Sequence, residues 1–122
     1  MEYKDRLQMT PREIEKQLQE ARSKLTNQNQ RLDRLAKEKA RAEREYREML
    51  AQTIENLRNN GVTATAVKDR AKGHKAVIDL LHERELKHAQ WRSALEATKN
   101  IRDEIQLLRS LLTQLRSEYE NM

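Results

Sequence analysis

The chain has 122 residues, of which 37% are charged, 36% hydrophobic and 3% aromatic, with no Phe and a single Pro; that mix cannot fill a thick core but suits long helices that each bury one narrow stripe. No apolar run approaches the roughly 20 residues needed to span a bilayer, and the absence of Cys excludes disulfides, zinc–thiolate sites and a thiol nucleophile. The net charge of +5 is unevenly spread: +2 over residues 1–57, +4 over 58–75 and −1 over 76–122.

The opening stretch "MEYKDRLQMT" is charged and lacks the apolar block of a signal peptide, so the expectation is a cytosolic protein. A helix start is written at "TPRE". Thr10 suits the N-cap, Pro11 the first helical position, and Glu13 completes a capping box by reaching back to the cap amide. From there a heptad stripe runs through Ile14, Leu18, Ala21, Leu25, Gln28, Leu32, Leu35, Lys39, Ala42, Tyr46 and Met49, then on through Leu50, Ile54 and Leu57. Steps of three and four keep these side chains on one face. High charge can leave a chain unfolded, but periodicity this sustained argues for a helix, a rod of about 75 Å over 50 residues. Gln28 and Lys39 interrupt the stripe. A polar seam residue can set register, whereas Lys39 is read as snorkelling from the seam's edge. The run "TNQNQ" around Gln28 is weak in helix propensity.

The break follows. Both glycines, Gly61 and Gly73, lie in it. Gly61 fits the position after a helix end, and Asn59 and Asn60 tolerate turn geometry. Thr63 or Thr65 is expected to cap a short helix in "TATAVKDRAKG", ended by Gly73. Val67 and Ala71 would turn inward there, with Lys68, Arg70 and Lys72 outward.

The second helix carries Val77, Ile78, Leu80, Leu81 and Leu86 near the break, then Trp91, Ala94, Thr98, Ile101, Ile105, Leu108, Leu112, Leu115 and Tyr119 at heptad spacing. Leu107 and Leu111 widen the stripe. The expected fold is all-α, a long antiparallel two-helix hairpin forming one domain over 1–122: a helix over about 11–60, an elbow over 61–73 and a helix over 74–120. A short connection favours antiparallel neighbours. Folding at 58–75 would set Leu57 against Val77 and Ile78, Tyr46 near His88 to Trp91, and Leu18 near Leu115 to Tyr119. Two helices enclose little, so a helical-bundle homo-oligomer is expected, with Leu107, Leu108, Leu111, Leu112 and Leu115 as its interface.

Sites for chemistry are few. His74, His82 and His88 are not paired at i, i+4, and a metal needs three or four convergent ligands, so no metal is assigned. Acidic residues alternate with Lys and Arg in the manner of solvated helix faces. No phosphate loop or nucleophile motif is present, so neither an enzyme nor a cofactor is expected. The basic break is the one candidate: Arg58, Lys68, Arg70, Lys72 and Lys75, with the amides of the Thr63 or Thr65 helix start, suit phosphate. "GVTATAVKDRAKG" also has the texture of a helix-turn-helix element, without the compact three-helix support. Aromatic residues for stacking bases are scarce. The second basic run, "RLDRLAKEKARAEREYR", mixes anions with its cations and reads as a solvated face.

The stretches "MLAQTIENLRNNG", "VTATAVKDRAKG", "AVIDLL" and "WRSALEATKNIRDEIQLLRSLL" resemble, in that order and spacing, a family of small proteins encoded by phages and prophages of Gram-positive bacteria. That family has "LAKEILKLRAEG", a small-residue segment ending "ARG", then "VAEL" and "YKSALEAI" before a leucine-rich end. The resemblance covers Tyr46 to Thr113. Trp91 replaces the usual Tyr, and Lys72 the usual Arg beside the second glycine. It implies a phage accessory protein in a bacterial cytoplasm, among early genes near recombination and single-strand-binding functions, and carries no catalytic residues. The leading expectation is a non-enzymatic protein of phage DNA metabolism that contacts DNA through the basic elbow. The alternatives are a protein-binding adaptor or inhibitor that docks a coiled-coil face on a host or phage protein, and a virion structural or scaffolding protein.

Overall fold

The computed structural model describes residues 9–121. Three helices account for nearly all of them: α1 over Pro11–Asn59, α2 over Val67–Lys72 and α3 over Lys75–Glu120. This is the expected helical hairpin, two long helices with a short one between. No helix among the described residues is long and apolar enough to cross a membrane.

The start of α1 is the expected capping box. The Thr10 amide donates to Glu13 Oε2 at 3.1 Å and the Glu13 amide to Thr10 Oγ1 at 3.2 Å, satisfying two amides that the first turn leaves without helical partners.

The chain packs as two compact units, each built from a length of α1 against a length of α3. One runs up to Leu32 and resumes at Ala94; the other is Asp33–Ser93. In the first, Ile14, Leu18 and Ala21 of α1 meet Ile105, Leu108, Leu111 and Leu112 of α3, with Leu25, Ile101 and Leu115 packed at the margin. Gln28 is half-buried in the same seam. Its Nε2 donates to the Ala94 carbonyl at 3.3 Å, which also accepts from Thr98 Oγ1 at 2.8 Å. Burial of Thr98, which is 1% exposed, is tolerable because the turn behind it supplies an acceptor for its hydroxyl. Arg116 pairs with Glu15 at the outer edge.

In the second unit, Leu35, Ala42, Val67, Ala71 and Val77 are buried. So is Thr53, which the reading of Leu50, Ile54 and Leu57 passed over. It lies four residues after Met49 and four before Leu57, a spacing that keeps the face. Arg84 lies over the Tyr46 ring at 4.5 Å and Lys39 over Trp91 at 5.1 Å. The Arg84 guanidinium also reaches Glu43 at 3.4 Å and Glu85 at 3.1 Å. The bond to Glu85 and the nearby carboxylates hold it more firmly cationic, against partial desolvation. Lys39 therefore does keep its ammonium out of the apolar seam, and it lands on an indole face.

The register differs from the expected one. Tyr46 faces Arg84 instead of His88 to Trp91, while Leu18 shares one cluster with Ile105, Leu108, Leu111 and Leu112, against which the expected Leu115 also packs. Facing pairs such as Glu15 with Arg116 and Lys39 with Trp91 lie a few residues short of the expected register. Val67 and Ala71 are wholly buried, so the inner face of α2 is packed, as its spacing predicts. Tyr119, placed in the stripe by spacing, is 56% exposed, since by Arg116 the chain opposite is already in the first turns of α1. Leu86 is 50% exposed; five residues after Leu81 puts it off the buried face.

Candidate nucleic-acid interface

The elbow begins where α1 is closed. Gly61 has φ of 86°, the left-handed value that favours a residue without a Cβ. Its amide donates to the Arg58 carbonyl at 3.1 Å, and the Val62 amide to the Leu57 carbonyl at 3.0 Å. These two crossed bonds are a Schellman closure, which turns the half-buried Val62 back toward the last turn of α1.

Beyond it the expected threonine cap is absent. Ala66 occupies the cap position of α2 with no side-chain cap bond. Thr63 acts through its main chain: its carbonyl accepts from the Ala66 and Val67 amides at 3.1 and 3.0 Å. Its hydroxyl faces that of Thr65 at 3.3 Å, so the two threonines satisfy each other. Gly73 ends α2 with φ of −85°, a value open to any residue, so its being glycine is not what stops the helix. With six residues, α2 is too short to serve as the recognition helix of a helix-turn-helix or to hold phosphate on its first amides. Any contact with phosphate falls to side chains.

Those side chains are disposed on two sides. Each helical residue advances about 100° round the axis, so Val67 and Ala71 mark the inner face of α2. Lys68 and Lys72 then flank that face on one side and Arg70 on the other, while Asp69 occupies the outermost ridge. All four are exposed, as is Arg58 in the last turn of α1. Arg58, Lys68, Arg70 and Lys72 make no ion pair among the described residues. Lys75 is tied to Asp79 at 3.0 Å, an exposed pair one turn apart that is worth little but offsets its charge. The five expected cations thus reduce to four unpaired ones on three faces, with one carboxylate among them.

Three of the five leucines expected at an oligomer interface are taken up within the chain. Leu108, Leu111 and Leu112 are buried inside the single chain against Ile14, Leu18 and Ala21. The broad apolar face of α3 is therefore used largely within the hairpin. Of the five leucines, Leu107 is 38% exposed and Leu115 half-buried.

The histidines do not converge. His74 and His82 are exposed, and His88 stacks loosely on Trp91 with centroids 6.0 Å apart. No group of three potential ligands is gathered among the described residues. His88 also borders an open recess of about 460 Å³ with Lys39, Glu43, Arg47, Arg84 and Glu85. Sequence reading missed this cation–aromatic–carboxylate network. The spacing Arg84, His88, Trp91 on the inner face could have signalled it, but its partners Lys39, Glu43 and Tyr46 depend on the register. Comparisons with protein-family models, with curated proteins and with solved structures return no match.

Proposed function

We propose that this chain is a non-enzymatic accessory protein of a phage or prophage, acting in the cytoplasm of the bacterial host, that binds nucleic acid through the elbow and serves DNA metabolism such as recombination. The observation that carries the reading is that Arg58, Lys68, Arg70 and Lys72 are exposed, have no ion-pair partner among the described residues, and lie in a segment, 58–75, that holds +4 of the net charge. Elsewhere the charges nearly balance, +2 over residues 1–57 and −1 over 76–122, and several cations sit beside carboxylates, as in Lys37–Asp33, Arg47–Glu43, Lys87–Glu38 and Arg116–Glu15. A polyanion gains most where positive charge is not already neutralised. The phage context rests on the ordered motifs from "MLAQTIENLRNNG" to "WRSALEATKN".

Four phosphate contacts give a slope of log K against log salt of about −3.6. Affinity for a labelled DNA, followed by fluorescence anisotropy, is then expected to fall about 150-fold between 50 and 200 mM salt. Replacing Lys68, Arg70 and Lys72 together by Ala flattens the slope to about −0.9. Absence of binding at low salt would remove the reading. A protein-binding adaptor is the second reading, supported by Leu86 and Leu95 standing exposed on α3; capture of a partner that ignores the triple substitution would favour it.

A further inference from the structure

On the reading that the elbow binds nucleic acid, we infer that its ligand is B-form duplex DNA, with α2 straddling the major groove and its two basic flanks reaching opposite phosphate rows. Three observations carry this. First, Arg70 lies on one side of α2 and Lys68 and Lys72 on the other, all exposed. A helix with its side chains is about 10–12 Å across, close to the roughly 12 Å width of the B-DNA major groove. A single strand offers one row of phosphates and can satisfy one flank only.

Second, Asp69 stands on the outermost ridge between the flanks. In the straddling pose that ridge points into the groove, where a carboxylate meets base edges and can accept from a cytosine amino group. A strand laid along the ridge would instead bring its phosphates against Asp69.

Third, the elbow has no platform for unpaired bases. No Phe, Trp or Tyr occurs between Tyr46 and Trp91, and those two rings already carry Arg84 and Lys39 on a face. Non-specific single-strand binding relies on aromatic stacking to supplement the phosphate contacts. Duplex RNA is disfavoured on different grounds, because its major groove is too deep and narrow to admit a helix.

The test uses the full chain and three labelled 20-mers at about 50 mM salt: duplex DNA, the single strand and the duplex RNA. Duplex DNA is expected to bind about tenfold tighter than either of the others. Arg70→Ala should weaken duplex binding and leave single-strand affinity nearly unchanged, whereas Lys68→Ala with Lys72→Ala should weaken both. Helicity by circular dichroism confirms that these exposed substitutions leave the fold intact. Equal affinity for single strand and duplex, tighter binding of the RNA, or equal losses from Arg70→Ala on both DNAs would overturn the inference while keeping the elbow as a nucleic-acid site. Binding to none of the three would overturn both.

Discussion

Replacing the two glycines by alanine, one at a time, should move stability in opposite directions. At Gly61 a Cβ would meet nothing within 4 Å, so packing imposes no penalty. The cost is conformational: φ of 86° lies in the left-handed region, where an L-residue is about 1–2 kcal/mol less stable than in the right-handed one. Alanine also lowers the entropy of the unfolded chain, which returns about 0.4–1 kcal/mol. The net expectation for Gly61→Ala is a loss of about 0–1.6 kcal/mol, accompanied by loosening of the Schellman bonds to Leu57 and Arg58. At Gly73 the backbone is already right-handed, and a Cβ would sit 3.5 Å from the Arg70 carbonyl oxygen and 3.7 Å from that of Asp69, ordinary contacts. There the unfolded-state term acts alone, so Gly73→Ala should stabilise by about 0.4–1 kcal/mol. The unfolded-state gain is common to both variants, so they are separated by the left-handed penalty alone, about 1–2 kcal/mol. Urea denaturation of both variants and the parent, at one protein concentration so that any self-association is held constant, reads this as a shift in midpoint at common slope. Equal destabilisation by the two substitutions would refute the argument, since it would mean that Gly73 also depends on a conformation closed to alanine.

Two further outcomes test the packing. Leu108, 1% exposed, should cost about 2–5 kcal/mol when cut to Ala, while its neighbour Leu107, 38% exposed, should change denaturation stability by less than about 0.5 kcal/mol; in the oligomer proposed from sequence, Leu107→Lys should lower the mass found by light scattering, and an unchanged mass would remove Leu107 from the interface. Gln28→Leu should be close to neutral or stabilising in denaturation, because the Ala94 carbonyl keeps its bond from Thr98 and a leucine suits the seam; a loss above about 2 kcal/mol would show that the glutamine is required for the packing and does more than add one hydrogen bond.

What could be read from sequence was whatever depends on near neighbours along the chain. The capping box needs only Thr10 and Glu13, three residues apart, and it formed as written. Gly61 after Asn59 and Asn60 announced a left-handed closure, and Val67 and Ala71 at i, i+4 announced an inner face. Much of the candidate site was legible in the same way: Arg58, Lys68, Arg70 and Lys72 are exposed as expected. Their division between two flanks follows from the helix repeat once Val67 and Ala71 face inward, but the start of α2 at Val67 does not. Two threonines preceding the helix looked like caps, yet their hydroxyls found each other and the main chain closed the turn instead.

The sequence by itself determined that two long helices form, which face of each is apolar, and where the chain turns, because helix propensity, capping and hydrophobic spacing act over a few residues. Only the tertiary structure decided how α1 meets α3. A heptad pattern repeats every seven residues, so sliding one helix past the other by a heptad buries nearly the same stripe. The choice among such registers rests on contacts between residues far apart in sequence, Arg84 on Tyr46, Lys39 on Trp91 and Gln28 on Ala94. Tertiary packing likewise decided that Leu108, Leu111 and Leu112 serve the hairpin's own core, while Leu86, Leu95 and Leu107 stay exposed.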